Sequence, residues 1–313
     1  MIKVGIIGLG AIGQRLIHQF NQHPSTQIAA VCDINQELAE KTAKTLGSIP
    51  FFMNHGEMLE KVQLDLVYVA VPPKYHHRVS TDVISKGIHI LCEKPLANSL
   101  DEANIMLEQA QKADIVHAMN FPLNYSAGSN TFARLIKEHY VGTLRRLELV
   151  MRFPQWPRAW QQNEWVASKE QGGFVLEVGI HFIQQIQSIF GALSVRDRII
   201  QFPEDPNASE NSILATLYIN EEVPFLIDGL SGIAGNEQIK LTAYGTEGTL
   251  SLVNWGLLEG GKLNEEVAPL QADQDLEESL IDHLVTAIQG KEATIIDFAA
   301  GYQAQGILEQ LRK

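Results

Sequence analysis

Residues 3–13, Lys3-Val4-Gly5-Ile6-Ile7-Gly8-Leu9-Gly10-Ala11-Ile12-Gly13, run an apolar stretch straight into G-x-G-x-x-G. The context narrows what this can be. Ile2–Ile7 has the continuous apolar character of a strand buried on both faces. Ala11–Gln22 spaces Ile12, Leu16, Ile17 and Phe20 along one helical face. A second apolar run, 28–32, closes on Asp33, 20 residues beyond Gly13. Strand, glycine turn, helix, strand and acid in that order form a βαβ unit and exclude an all-α or all-β fold.

Each residue type has a reason to be there. Gly8 permits the tight turn, Gly10 lets a pyrophosphate approach the backbone, and Gly13 lets helix and strand pack closely. Ala11 and Ile12 open the helix, whose first N–H groups carry partial positive charge toward an anion. Asp33 would accept from the ribose hydroxyls of an adenosine. It would repel a 2′-phosphate, and Ile34-Asn35 offers that phosphate no cation. NAD is therefore expected, with NADP disfavoured. The plain alternative is a glycine-rich turn in an ordinary strand–helix unit.

The chain has 313 residues, enough for two modest domains or one large one. Hydrophobic residues make up 45% and charged residues 19%, so a packed core is expected rather than disorder. A formal charge of −13 argues against nucleic acid or an anionic membrane as partner. No apolar run approaches the ~18 residues of a membrane span. With a strand beginning at residue 2, no secretory leader is expected and a cytoplasmic location is. Cys32 and Cys92 each end an expected strand and read as buried thiols. No Cys/His cluster has metal-ligand spacing, so no metal is expected.

Along the first 120 residues strand and helix alternate. Helices are expected over 36–46, 76–86 and 100–113, the last opened by a Ser99/Glu102 capping box, and strands over 64–71, 88–92 and 115–120. The fold class is α/β, a doubly wound parallel sheet with ligands outside the carboxyl ends of its strands. After residue 121 the pattern changes. A helix near 130–139 leads to a strand at Leu144–Phe153 and a loop with Trp156, Trp160 and Trp165. A helix from Gly172-Gly173 to Phe190 follows. Alternating segments at Ser212–Ile219, 224–230, 238–244 and 249–254 suggest antiparallel hairpins, and helices over 276–289 and 297–311 finish the chain. A parallel domain followed by a mainly antiparallel α+β domain is the reading.

Three constellations could carry chemistry. Glu93-Lys94-Pro95 follows an expected strand, so Lys94 stands on a carboxyl-end loop where it can bond, or exchange a proton with, a substrate oxygen. A surface lysine before a loop proline is the plain alternative. Glu177 and His181 are four apart, so a carboxylate can fix the imidazole's tautomer while the ring relays a proton; an exposed i,i+4 pair is the plain alternative. Val71-Pro72-Pro73 ends another strand in a stiff loop that would pass near the nicotinamide ribose, and His76 reads as a helix-start residue beside it.

Together these segments resemble the glucose–fructose oxidoreductase / inositol dehydrogenase (Gfo/Idh/MocA) family. The resemblance is carried by residues 8–13, Val71-Pro72-Pro73 with His76, Glu93-Lys94-Pro95-Leu96-Ala97, Gly172-Gly173 with Glu177 and His181, and residues 244–250. It implies a Rossmann domain over residues 1–121 and an α+β domain with a large, mostly antiparallel sheet over 122–313, the last helix a candidate to return to the first domain. It also implies homodimers or homotetramers through the flat sheet face. The implied activity is hydride transfer between nicotinamide and a small sugar-like hydroxyl or carbonyl compound. Lys94, His181 and Glu177 are the implied catalytic candidates. Gly8, Gly10, Ala11, Ile12, Gly13, Asp33, Val71, Pro72, His76, Glu93 and Lys94 are the candidates for holding the cofactor. Rival readings are a redox-neutral NAD-dependent glycosidase and a non-catalytic NAD-binding regulator. Three departures stand out: Glu177 where the family commonly has aspartate, Gln184 where an acid often stands, and Phe121-Pro122-Leu123-Asn124-Tyr125 where an arginine is common.

Overall fold

The structure is a computed structural model that describes residues 1–161 and 163–312. The chain forms two compact units, Met1–Phe121 with Ser279–Tyr302, and Pro122–Glu278 with the residues from Gln303 onward.

The first unit is built on a parallel sheet of strands β1 (Ile2–Ile7), β2 (Thr26–Cys32), β3 (Phe51–Phe52), β4 (Leu66–Val69), β5 (His89–Cys92) and β6 (His117–Met119). Their order is β3-β2-β1-β4-β5-β6, so the winding reverses between β1 and β4. All four residues of β4 are buried, as a strand covered on both faces requires. Helices α1 (Ala11–Gln22), α2 (Gln36–Thr45), α3 (His55–Lys61), α4 (His76–Ser85) and α5 (Leu100–Lys112) connect the strands. Leu16, Ile17 and Phe20 form the buried stripe of α1. Asn35, Asn54 and Ser99 cap α2, α3 and α5 by accepting from Leu38, Glu57 and Glu102 N–H. The expected capping box is only half made: the Glu102 carboxylate accepts from Asn98 N–H, one residue before the cap. The residues after Ser279 complete this unit. Met119 N–H donates to the Ile296 carbonyl at 2.7 Å, and Phe298 N–H to His117 Nδ1 at 3.2 Å.

The second unit carries an eight-stranded sheet of β7 (Leu144–Phe153), β8 (Leu193–Gln201), β9 (Ser212–Ile219), β10 (Val223–Ser231), β11 (Gln238–Gly245), β12 (Gly248–Val253), β13 (Leu257–Lys262) and β14 (Ala268–Leu270). The order is β14-β13-β12-β11-β7-β10-β9-β8. Every pairing is antiparallel except β7 with β10, where Phe225 stands opposite Leu147 in parallel register. The three-residue link Asn220–Glu222 turns the β9–β10 hairpin, with Asn220 and Glu221 in the left-handed region at φ of 49° and 65°. One face is apolar and buried, including Leu147, Leu149, Met151 and Phe153 of β7 and Ile213, Leu217 and Ile219 of β9. Helix α6 (Ala127–Lys137) packs on β12 and β13, and α7 (Ile180–Phe190) begins over Met151. The other face is laced with charge pairs, Arg146 with Glu148 at 2.9 Å, Lys240 with Glu259 at 2.6 Å, and Arg152 with Asp228. Helices α8 (Leu280–Ile288) and α9 (Phe298–Arg312) follow; Tyr302 and Gln303, neighbours within α9, belong to different units.

Among the described residues no helix is long and apolar enough to cross a membrane, and no cluster of His, Cys, Asp and Glu could hold a metal.

Candidate active site

In the first unit the sequence-singled residues gather along one edge of the parallel sheet. Asp33 follows β2, Gly8 and Gly10 follow β1, Val71-Pro72 follows β4, and Lys94 follows β5. These four strands are consecutive neighbours, so the residues are met in that order across three strand spacings, roughly 14 Å. This edge straddles the reversal of winding, where parallel sheets open a crevice.

The glycine turn has the geometry of an anion cradle. Gly8 has φ of +95°, and a Cβ on it would stand 2.4 Å from the Ala70 carbonyl oxygen. A Cβ on Gly13 would stand 2.2 Å from the Gly8 oxygen. Around Gly10 a Cβ would meet nothing within 4 Å, so the space over the turn is open. Helix α1 starts there with no side-chain cap and no acidic residue in its first turn. The first-turn N–H groups, Ala11, Ile12 and Gly13 among them, have no intrahelical partner and point at that opening. Asp33 is tied to the turn: its Oδ2 accepts from Leu9 N–H and its Oδ1 from Asn35 N–H, both at 2.8 Å. The donor set and the open space fit a dinucleotide, whose phosphates Gly8 to Gly13 would face and whose ribose Asp33 would meet.

Lys94 is half-buried on a loop held from both sides. Its neighbour Glu93 is buried, and the Glu93 Oε1 accepts from Tyr68 Oη at 2.5 Å and from Asn120 Nδ2 at 2.6 Å. Burial pushes the Glu93 carboxyl above the usual carboxylate range, against the pull of Tyr68, Asn120 and Lys94. Burial, then the charge of Glu93, holds the Tyr68 phenol well above its ordinary value. Pro95 on the other side offers its carbonyl to His76 Nδ1 at 2.7 Å, while His76 Nε2 lies 2.8 Å from the Val71 carbonyl. His76, expected among the cofactor-holding residues, has a ring that is 0% exposed with both nitrogens engaged. The ring ties the β4 loop to the β5 loop. Burial lowers its pKa, although the two carbonyls favour the protonated ring. Glu93, likewise, faces Tyr68 and Asn120.

In the second unit Glu177 and His181 do not share one continuous α-helix. Val175–Gly179 is a π-helical turn, and α7 begins only at Ile180. A π turn takes a little more than four residues per revolution, so residues four apart across it still lie near one face. The Glu177 Oε2 lies 3.5 Å from Gln161 Nε2, the outer limit of a hydrogen bond. His181 is 7% exposed and stands edge-on to Trp255, with ring centroids 5.4 Å apart. Trp255 sits at φ of 75° in the β12–β13 turn, where Asn254 exchanges two backbone-directed bonds with Ile239. Gln184 and Asn124, two of the departures from the family pattern, are bonded to each other at 2.6 Å. A neutral amide pair thus occupies those positions.

Sequence reasoning missed Tyr68, Asn120 and Trp255. Tyr68 left one trace, a lone hydroxyl in an apolar strand, since a buried Tyr needs a partner for its oxygen. Nothing local marks Trp255, which is brought to His181 across 74 residues of chain.

Fold and edge together define a dinucleotide-binding α/β unit joined to an α+β unit with a broad, mostly antiparallel sheet. Residues 2–121 match the model of an oxidoreductase family with an NAD-binding Rossmann fold, and residues 130–251 match the Gfo/Idh/MocA C-terminal domain. The chain belongs to the Gfo/Idh/MocA oxidoreductase family. Glucose-6-phosphate 3-dehydrogenase of Bacillus subtilis (strain 168) is 29% identical over 194 residues, 61% of this chain and 54% of that protein. The 2,7-anhydro-N-acetylneuraminate hydratase of Escherichia coli K12 is 27% identical over 193 residues, 62% of this chain and 50% of that one. The match thus spans about half the length of these curated relatives. The crystal structure of the WlbA dehydrogenase from Bordetella pertussis, in complex with NADH and UDP-GlcNAcA, has a TM-score of 0.85 at 16% identity, covering 99% of this chain and 94% of that one.

Proposed function

We propose that this protein is an NAD-dependent oxidoreductase acting on a neutral sugar-like hydroxyl or carbonyl compound. The observation that carries the reading is the order of Asp33, Gly8/Gly10, Val71-Pro72 and Lys94 along four neighbouring strand ends. Asp33 and the α1 N-terminus hold the adenosine end. A bound nicotinamide supplies the hydride exchange. Lys94 donates a hydrogen bond to the substrate oxygen, and His181 moves the hydroxyl proton, with Glu177 and Trp255 setting its ring. NAD is preferred because Asp33 opposes a 2′-phosphate. A neutral substrate is favoured because residues 120–125 offer no cation and Gln184 pairs with the Asn124 amide. The relative named a glucose-6-phosphate 3-dehydrogenase supports a sugar as substrate, while its phosphate gives no support to neutrality.

The test is a panel of neutral sugars and polyols, with glucose 6-phosphate alongside, incubated with NAD or NADP while absorbance at the NADH band is followed. NAD reduction by a neutral member is the expected result. Faster turnover with NADP, or with the phosphate ester alone, overturns the corresponding part. A second reading, redox-neutral chemistry such as an NAD-dependent glycosidase, is kept because one relative is named a hydratase. Product formation without net NADH release would select it.

A further inference from the structure

The Gly172-Gly173 turn is held by two charged residues that no local pattern connects with it. Arg312, at the last turn of α9, is half-buried and donates from Nη2 to the carbonyls of Lys169 at 2.6 Å and Gly172 at 2.9 Å. Glu210 is 2% exposed, and its Oε1 accepts from Val175 N–H, the first residue of the π turn, at 2.8 Å. The glycines are there because the backbone at 165–166 and the Glu210 carboxylate leave no room for a side chain. A Cβ on Gly172 would stand 2.1 Å from the Val166 oxygen. On Gly173, at φ of +99°, it would stand 2.2 Å from the Glu210 carboxylate. Lys169 N–H and Ser209 N–H bond the carbonyls of Asn207 and Ala167, so the β8–β9 loop brings Glu210 in as part of a small bridged layer. The guanidinium also acts on Glu177 through space, as it does on Glu210 and Glu309.

From this arrangement we infer that Arg312 is a positioning residue for the candidate site: with Glu210 it clamps the Gly172-Gly173 turn, so that the π turn bearing Glu177 and the start of α7 bearing His181 keep one setting. The inference deepens the proposed function and rests on it only for the roles of Glu177 and His181. Arginine suits the task because the two hydrogens of its Nη2 lie in a rigid plane that aims one at each carbonyl, and the group stays charged, whereas a lysine ammonium is a flexible point donor. Arg312 touches no reacting atom in this scheme.

The test uses the full chain loaded with NAD, as wild type, Arg312→Ala and Arg312→Lys. Hydrogen exchange followed by mass spectrometry should quicken at least tenfold at amides 173–181 in Arg312→Ala. Peptides from β1 and α1 should keep their rates. Arg312→Lys should fall between the two. Reaction with diethyl pyrocarbonate should proceed at least threefold faster at His181 in Arg312→Ala, while the exposed His139 keeps its rate. Unchanged exchange at 173–181 and an unchanged His181 rate overturn the inference. Should Arg312→Ala quicken exchange everywhere, Arg312→Lys decides: a local effect upholds the clamp, and wild-type rates overturn it. None of these readouts needs turnover, so a protein that oxidises no sugar would refute the proposed function and leave this result standing.

Discussion

Asp33 spends both carboxylate oxygens on backbone N–H groups and still retains lone pairs for a ribose. That makes cofactor choice a property of two residues. Ile34 is 91% exposed, whereas Asn35 caps α2, so a cation is better introduced at 34 than at 35. Asp33→Ser with Ile34→Arg should move the ratio of kcat/KM for NAD over NADP at least tenfold toward NADP, measured on a substrate found in the panel. Lys94→Ala and His181→Ala should each lower kcat by ~10²–10⁴, the usual loss of a proton-transfer group, while NADH titrated by tryptophan quenching binds within a few-fold of wild type. Near-full turnover in Lys94→Ala would remove that lysine from the reaction. Glu93 yields a prediction about stability. Burial raises its folded pKa above the unfolded value of about 4.3. Its contribution is therefore full below that value and is lost as pH rises through the folded pKa. Glu93→Gln escapes this loss, so the Tm of the variant minus that of wild type should climb from pH 4.5 upward; a flat difference would show that Glu93 ionises normally. Lys94, His181 and Asp33 can be singled out from the sequence as candidates because they stand in local motifs. Tyr68 and Asn120 cannot, since the contacts that matter cross 25 and 27 positions.

At the level of elements, legibility followed the strength of the local pattern. β7 and β9 alternate buried and outward residues cleanly, and their spans are those read from sequence. β8 was missed because Arg196-Asp197-Arg198 breaks the alternation and a register shift lies between Val195 and Asp197. β13 was missed because Gly260 and Gly261 weaken a strand signal. β3 is two residues long and depends on β2 for its definition. The π turn at Val175–Gly179 escaped because its residues read equally well as α-helix; what distinguishes it are the distant partners of Gly172 and Gly173. Two glycine substitutions separate backbone strain from crowding. Gly47 has φ of +90° with nothing within 4 Å of a Cβ, while Gly173 combines φ of +99° with the Glu210 carboxylate at 2.2 Å. Gly47→Ala should lose ~1 kcal/mol in urea unfolding, and Gly173→Ala ~2–4 kcal/mol. Equal losses would mean that Glu210 moves aside freely.

At the scale of the whole chain, the outward face of the eight-stranded sheet bears Ile199 at 59%, Leu214 at 49% and Leu230 at 37% exposure amid the charge pairs. Such an apolar patch on an eight-stranded sheet is suited to a second copy of the chain. A dimer or tetramer is expected by light scattering at micromolar concentration, and Leu214→Arg should shift it toward monomer; a monomeric wild type would refute the assignment. The parallel and antiparallel halves were legible from the change of pattern near residue 121, because period and turn chemistry are local. The return of residues 279–302 to the first unit is a matter of long-range pairing. That return bears on the order of events during synthesis. Ile296 bonds Met119, and the first unit holds residues up to Tyr302, so a ribosome that has finished β6 must add some 180 further residues before that unit can close. The nascent sheet waits with one edge unfinished while the second unit is made. The chain is therefore one whose earliest-made portion is among the last to be completed.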